Sequence, residues 1–581
     1  MDQVVIHDPE EDHWLRFTRP RAVLRAANLS DVVPILTEAE KHVKRDSLYA
    51  AGWISYEAAP AFDPVFRTHP ATAFPLVCIG LFSAPDVLKT LPAAGHHPPD
   101  AAAWQPSVTR NAYDAAIARV RDRIAAGDTY QVNYTLRQWR AFREDPWEFF
   151  LRTCADAPYA AFVDTGAFSL CSASPELFFS LHDRKIISKP MKGTAPRGRT
   201  LSEDGDNARW LHQSEKNRAE NVMIVDMIRN DLGRIARTGS VRVPRLYEIE
   251  KYPTVWQMTS TVEARTDASF PDILRALFPC ASITGAPKVK TMEIIASTET
   301  TPRNIYTGAI GFLAPGRRSL FNVAIRTILI DKIAHRAEYG VGGGIVWDST
   351  AGGEYEECLQ KAKIILDPPA PRPFQLLETL LWRPAEGYFL ESRHLDRLRD
   401  SARYFDYSYD RQRIVEALRT AAENLSPAAH RVRLLLSREG GVECTSAPLV
   451  PPEIGPLRVR IAKNPVHSQD RFLYHKTTRR GTYEAARASC PDVDDVLLYN
   501  EAGEVTESSI ANLVILLNGR LVTPPVGCGL LNGTYRTELL ERGEITEETV
   551  TLATLRRAER IFLINSVRKW REAVLCTFPD P

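Results

Sequence analysis

Short β-type runs and helical faces follow one another along this chain without the strand–helix alternation of a parallel α/β protein. AFSLCSASPELFFSL (167–181) and FNVAIRTILI (321–330) read as strands. Between them, ENVMIVDMIRNDL (220–232) places Val222, Val225, Ile228 and Leu232 on one helical face, with Gly233 as a prospective C-cap. EYEECLQKAKIIL (354–366) reads as a second helix. Its Glu354, Glu357 and Lys361 fall at i, i+3 and i+7, so two carboxylates share a face with an ammonium. Taken alone, that set is an exposed ion-pair ladder. Further on, FQLLETLLW (374–382) and the charged helix within RHLDRLRDSARYF (393–405) lead to an apolar strand, RVRLLLS (431–437).

Three small-residue stretches punctuate the pattern. PMKGT (190–194) reads as a lysine on a short turn, entered at Pro190 and left at Gly193, with Lys189 as a competitor for any role given to Lys192. VGGGIV (341–346) suggests a close backbone approach, with amides facing an anion, or else a flexible loop. In ASITGAPKVKTMEII (281–295) a turn precedes an amphipathic helix whose start could offer free amides or simply be well capped. LDPPAPRP (366–373) carries four prolines and suits a semi-rigid linker over 367–373, dividing residues 1–366 from 374–581.

Composition narrows the classes. At 581 residues the chain exceeds one ordinary core. An apolar content of 44% and a charged content of 25% are those of a globular protein, and a net charge of +1 makes no case for nucleic acid or an anionic membrane. The nine cysteines show no CxxC spacing, which argues against a zinc site or disulfide framework and suits a reducing compartment. The acidic start, MDQVVIHDPEEDHW, lacks a signal-type apolar region, and no apolar run approaches membrane-spanning length. A soluble, cytoplasmic protein is expected.

GDTYQVNYT (127–135), ASPELFF (173–179), PMKGT, EKNRAENVMIVDMIRNDLGR (215–234), SITGAPK (282–288), YTGAIGF (306–312), FNVAIRT (321–327) and GGGIV with EYEECLQKA (342–362) occur in that order. Together they resemble the chorismate-utilising enzymes over roughly residues 50–366. The resemblance implies an α/β (α+β) domain in which two large antiparallel sheets, flanked by helices, enclose the substrate. It also implies roles. Glu220 and Glu357 match Mg²⁺-binding glutamates, with Glu354 as a water-mediated partner; hard oxygens suit that ion. Arg326 and Tyr306 match positions that hold the enolpyruvyl carboxylate. Gly342, Gly343 and Gly344 would bring amides to the same anion, and Thr284 and Lys361 match further substrate contacts. Lys192 is the lysine characteristic of the aminodeoxychorismate synthases within that family, where a small residue stands in the anthranilate and isochorismate branches. There it attacks C2 as the 4-hydroxyl departs, which requires an unprotonated amine. Glu176 matches the general acid for that hydroxyl. Gln131 stands where the water-adding members carry a lysine base, so hydroxylation is not expected. Gln257 replaces a histidine of several relatives. No glutaminase motif is found, so a separate glutamine amidotransferase subunit is expected to supply ammonia.

The C-terminal part carries YHKTTRRGTYEAAR (474–487), VLLYNEAGEVTESSIANLVIL (496–516), TPPVGCGLLNGTYRTELL (523–540) and IFLINSV (561–567). Over 374–581 these resemble the class IV, fold-type IV pyridoxal-phosphate enzymes, aminotransferases and aminodeoxychorismate lyases among them. The likeness implies that Lys476 carries pyridoxal 5′-phosphate covalently and that Glu507 pairs with its pyridine nitrogen. Arg397 would hold the phosphate, with Ser508, Ser509 and Thr534 adding hydroxyls and amides. A homodimer through this domain is in keeping with the class. The strand usually found before an FQLLETL-like segment is missing, which leaves a sheet edge to be covered by the first domain or a second subunit. The favoured expectation is a bifunctional route from chorismate to 4-aminobenzoate. The alternatives are a true aminotransferase, or a non-catalytic docking module, in the second position.

Overall fold

The structure, a computed structural model, describes residues 1–92, 102–366, 374–451 and 455–576. The proline-rich linker lies outside the described residues, as does most of HHPPDAAAWQP (96–106), a Pro- and Ala-rich stretch that reads as a surface connection. Two compact units emerge: Met1–Pro196 with Trp210–Pro371, and Arg197–Arg209 with Arg372–Pro581. The division falls between Pro371 and Arg372. The exception is Arg197–Arg209, which sorts with the second unit although it lies in the middle of the first unit's sequence.

The first unit holds two ten-stranded sheets among the described residues, as the motifs imply. The expected strand 167–181 is two strands: Phe168–Ser174 belongs to one sheet and Leu177–His182 to the other. The run 321–330 divides in the same way into Arg318–Val323 and Thr327–Asp331. Local pattern reads both as continuous because apolar residues stand on either side of each break. The chain passes between sheets at Pro175–Glu176 and at Ala324–Arg326, where Arg326 takes a positive φ of 50°. The two crossings are tied together. Val323 N donates to Glu176 O at 3.1 Å, Ala173 N to Arg326 O at 2.9 Å, and Ser174 Oγ to Val323 O at 2.6 Å. Val4, Phe17 and Leu170 of one sheet pack with Trp53, Phe312 and Leu320 of the other. Each such burial is worth roughly 1.5–3 kcal/mol, so the sheets hold the crossings in place.

The helix Glu215–Gly233 buries Asn221, Ile224, Val225, Ile228 and Leu232. The buried face is therefore rotated from the one expected: Val222 is only half-buried and Asn221 takes an inward position. Gly233 is the last helical residue rather than the cap, and Arg234 follows in right-handed conformation. The helix Ala351–Leu366 begins one turn before its expected start.

The second unit has a four-stranded and an eight-stranded sheet. In the smaller one, Leu376–Arg383 pairs with His430–Leu436 on one edge. Its other edge is closed at the start by the Lys476 segment itself: Leu377 N donates to Lys476 O and Thr478 N to Gln375 O, both at 2.9 Å, with Leu376 bridged to Thr477. The edge that sequence left open is thus met from within the unit, and Lys476 is fixed to a sheet. Arg197–Arg209 adds to the same neighbourhood. Arg197 forms a buried pair with Asp204 at 2.7 Å and lies over the Tyr404 ring at 4.8 Å. Tyr404 OH donates to Gly198 O at 2.6 Å, and His475 Nε2 donates to Arg199 O at 3.1 Å.

None of the nine cysteines is in a disulfide. Among the described residues no helix is long and apolar enough to cross a membrane.

Candidate active sites

In the first unit Lys192 lies in the strand Met191–Pro196 rather than on a turn. The strand's register against Val255–Arg265 shifts between Met191 and Thr194, so Lys192 and Gly193 occupy a bulge, with Gly193 at φ 91°. A bulge re-aims a side chain, and a glycine supplies the left-handed φ that others resist. Gln257 clamps this bulge: its Nε2 donates to Gly193 O at 2.7 Å and its Oε1 accepts from Thr194 Oγ1 at 2.9 Å. The competitor Lys189 is ion-paired with Glu250.

The Lys192 amine borders the strand Arg336–Ile345. That strand pairs with Gln131–Ala141 along its length but with Thr327–Asp331 only as far as Tyr339, so Gly342–Gly344 have one free edge. The expected loop is therefore strand, and the glycines serve close approach. A Cβ on Gly344 would lie 2.8 Å from Gln131 Nε2 and 3.1 Å from Lys192 Nζ. One on Gly343 would lie 3.0 Å from Glu354 Oε2, 3.8 Å from Lys361 Nζ and 3.9 Å from Glu357 Oε1. Glu354, Glu357 and Lys361 thus face the same strand as Lys192, not solvent alone. Lys361 pairs with Glu357 at 2.7 Å and donates to Gly342 O at 3.1 Å.

Burial pushes the Lys192 ammonium below its usual range; Glu220 opposes this and Lys361 assists it. Glu176 moves toward it from the other side. Burial raises its carboxyl to about 7, against a 2.6 Å hydrogen bond from Ser282 Oγ and the charge of Lys192. An amine drawn down and a carboxyl drawn up are shifted in the directions that acid–base work by the pair requires. Arg326 is within electrostatic reach of Tyr339 and Tyr252, and among the described residues its guanidinium takes no hydrogen bond or ion pair; burial lowers its pKa. It is free to grip an anion. Tyr306 is buried with Arg137 over its ring at 5.2 Å. Thr284 is turned elsewhere: its hydroxyl donates to Cys280 O and Ala281 O, holding the turn before the helix Lys288–Thr298.

Among the described residues no three His, Cys, Asp or Glu side chains form a preformed metal cluster. Glu354 and Glu357 do stand side by side, and Glu354 is raised first by burial and further by Glu357. Glu220 is near enough to Lys192 for its charge to act on the amine, as is Glu357. Mg²⁺ ordinarily takes one or two carboxylates and completes its shell with water and substrate oxygens, so this donor set fits it. Sequence reasoning passed over Lys216, whose charge reaches both Glu354 and Glu357. It lies one helical turn before Glu220, a spacing that could have drawn attention to it.

In the second unit a cavity of about 580 Å³ is lined by Lys476, Glu507, Arg397, Ser508, Ser509 and Thr534, the expected set, together with Arg431, Arg433, Arg480, Tyr483 and Arg568. The Lys476 side-chain amine makes no hydrogen bond or ion pair among the described residues; burial, then Arg397, lower its pKa to about 8. Burial raises Glu507 to about 7, although Tyr483 OH (2.8 Å) and Leu531 N (3.1 Å) donate to its Oε1 and Asn512 Nδ2 (3.2 Å) to its Oε2. Arg397 is gripped by Glu378 through Nε at 2.9 Å and Nη2 at 2.7 Å. Glu378 also meets His394 Nδ1 at 2.7 Å, and His394 Nε2 meets Thr534 Oγ1 at 3.2 Å. Burial would raise Glu378, but Arg397 and His394 outweigh it and hold the carboxyl at about 2. Sequence reasoning missed Glu378 and His394, which anchor two expected cofactor residues to each other. The hydroxyls of Ser508 and Ser509 are engaged locally, donating to Ala511 O at 3.0 Å and Asp495 Oδ1 at 2.5 Å. The free amine, the carboxyl held in an aromatic and amide cradle, and the braced arginine fit pyridoxal phosphate.

Comparison with known proteins agrees with this division. Residues 1–367 match the family described as chorismate binding enzyme, and residues 375–576 match amino-transferase class IV. Aminodeoxychorismate synthase component 1 of Salmonella typhimurium is 41% identical over 270 residues, covering 46% of this chain and 59% of that protein. Anthranilate synthase component 1 1 of Haloarcula marismortui is 38% identical over 272 residues, covering 46% of this chain and 55% of that protein. The chain thus spans less than two thirds of the length of these relatives, and their identities do not separate the two activities. The crystal structure of anthranilate synthase component I from Streptococcus pneumoniae superimposes with a TM-score of 0.53 at 23% identity, covering 62% of this chain and 92% of that one, which shows the shared fold.

Proposed function

The chain belongs to the chorismate binding enzymes, and from that premise we propose that its first unit aminates chorismate at C4 and its second unit removes pyruvate from the product to leave 4-aminobenzoate. The observation that carries the first half is the meeting of Lys192, its ammonium destabilised by burial, with Glu176, its carboxyl raised to about 7. The unprotonated amine attacks C2, the ring double bonds shift, and the C4–O bond breaks as Glu176 gives its proton to the departing hydroxyl, which leaves as water. Ammonia then forms a bond to C4, the double bonds shift back, and the C2–N bond to Lys192 breaks. Arg326 holds a carboxylate, and Glu220, Glu354 and Glu357 would hold Mg²⁺, which supplies charge neutralisation for a second one. The relatives' designation as component 1 supports a separate glutamine amidotransferase subunit as the ammonia source. Gln131, with no basic nitrogen, supports amination over hydroxylation.

In the second unit pyridoxal phosphate, when bound, supplies an electron sink for the substrate's amino group. Arg397 and the Gly533–Thr534 turn would hold its phosphate, Glu507 its ring nitrogen, and Lys476 its aldehyde carbon. Lys476, once released, takes the proton from C4. The C3–O bond then breaks and the ring becomes aromatic, with no oxidant required. Arg431, Arg433 and Arg568 line this cavity and, among the described residues, none of them meets a carboxylate. Burial, Arg571 and Arg431 press on the Arg568 guanidinium. Such an unneutralised cationic set suits a substrate with two carboxylates, which aminodeoxychorismate has and most amino acids lack.

The test is a product profile. The purified chain is given chorismate, ammonia and Mg²⁺, with and without pyridoxal phosphate and with no oxo acid. We expect 4-aminobenzoate and pyruvate in equal amounts with the cofactor, and aminodeoxychorismate without it. Accumulation of aminodeoxychorismate despite the cofactor removes the lyase reading; formation of 2-aminobenzoate removes the reading of the first unit.

A further inference from the structure

Gln131 opens the strand Gln131–Ala141 and is wholly buried, with 0% exposure. Its backbone is fully used: it pairs with Ala286, and Thr129 Oγ1 donates to its carbonyl at 3.1 Å. Its side chain is not. Among the described residues neither Nε2 nor Oε1 has a hydrogen-bond partner. The same strand shows how unusual this is. A few residues on, Thr135 and Arg137 are locked to Glu299, whose other bonds go to Arg303. A buried amide with four unused hydrogen-bonding positions is a standing cost to the fold, and native proteins keep few of them.

The orphaned amide and the lysine amine border the same small space. Nε2 and Lys192 Nζ lie 2.8 and 3.1 Å from one point, the place a Gly344 side chain would fill. With neither atom partnered, nothing fixes which of them faces the gap, and a half-turn of the amide presents Oε1. An unprotonated amine has two N–H bonds and one lone pair. An acceptor that takes one N–H decides where the lone pair points.

We infer that Gln131 is a positioning residue for Lys192: its amide oxygen accepts an N–H from the amine and aims the lone pair at the ring carbon, and Gly344 keeps the space between them clear. This rests on the aminating reading of the first unit and adds to it a reason for an amide at position 131. A glutamine can orient the amine without competing for its proton, which a basic side chain cannot.

The full chain is mixed with chorismate and Mg²⁺ in the absence of ammonia, and the covalent Lys192 adduct is followed by intact mass after quenching. Gln131→Met conserves volume and removes both polar atoms. Its adduct is expected to form about 10²-fold more slowly, as for a reacting group out of line by about 1 Å. Its KM for chorismate should stay within about 3-fold and its Tm should equal or exceed that of the wild type, because an unpaired buried amide has gone. Gly344→Ala, which drives a methyl group into the same gap, should slow the adduct likewise. Adduct formation by Gln131→Met at the wild-type rate overturns the inference. So does a fall in Tm together with a raised KM, which marks a merely structural glutamine. If the wild type gives neither adduct nor aminated product, the reading of the first unit fails and this inference with it, an outcome visible before any variant is made.

Discussion

Lys192 and Lys476 are both amines pushed below their usual range by burial, yet their surroundings are built on opposite plans. Around Lys476 the polar groups are already bonded to one another. Glu378 joins Arg397 to His394 and through it to Thr534, and Glu507 is held by Tyr483, Asn512 and Leu531. Around Lys192 the bonding is less complete: among the described residues the Gln131 amide and the Arg326 guanidinium have no hydrogen-bond partner, and Glu354, though it accepts from Ser349, faces the like charge of Glu357. The difference matches what each site would hold. A cofactor that stays calls for a rigid seat. A substrate that comes and goes, bringing its own charges and a cation, calls for groups whose interactions strengthen only when it is there.

Replacing each lysine tests whether the plans are independent. Lys476→Ala should lower 4-aminobenzoate release by about 10³–10⁴-fold and abolish the absorbance of covalently bound cofactor, while aminodeoxychorismate still accumulates. Lys192→Ala should lower amination by about 10³-fold at neutral pH and leave pyruvate release from supplied aminodeoxychorismate unchanged. A loss of both activities in either variant would collapse the distinction.

The seat around Lys476 can also be strained from outside it. Arg197→Met leaves the buried carboxylate of Asp204 without its partner, and breaking such a pair costs about 3–5 kcal/mol. Chemical denaturation should show the second unit unfolding at lower urea while the first holds. Acid acts on the same unit. Because the Glu378 carboxyl is held at about 2, below the ordinary 4.5 of a glutamate, the stability it lends is complete above about pH 4.5. It is lost as pH falls through about 2 and amounts to something on the order of 2–3 kcal/mol. Glu378→Gln should flatten that part of the acid unfolding curve. The smallest effect is expected at the Lys192 bulge: Gln257→Ala frees the carbonyl of Gly193 and should slow amination about 10-fold, with chorismate KM little changed.

Much of this was legible in the sequence, and what escaped shares one physical cause. The helix bearing Glu354 and Glu357, the strands near Glu176 and Arg326, and the lysines themselves carry local signals. The break of each β-type run into two sheets does not, because a strand's pattern says nothing of which neighbour it pairs with. Asn221 inside a helix and Glu378 within FQLLETLLW are polar residues in apolar positions. Their partners, Ser260 and the pair Arg397 and His394, lie 39, 19 and 16 residues away. Gln131 was seen in sequence only as the absence of a lysine; that its amide is unpaired is a property of the folded packing alone.

The sorting of Arg197–Arg209 with the second unit sets a timetable for synthesis. That strip leaves the ribosome about 160 residues before the rest of its unit, which at roughly 5–20 residues per second is a wait of about 10–30 s. The first unit's strands on either side of it are therefore made while the rest of the unit to which this strip, with the start of the helix Leu201–Gln213, belongs is still untranslated. A gene cut at the proline-rich linker would yield a first half with a superfluous segment and a second half lacking one of its own parts.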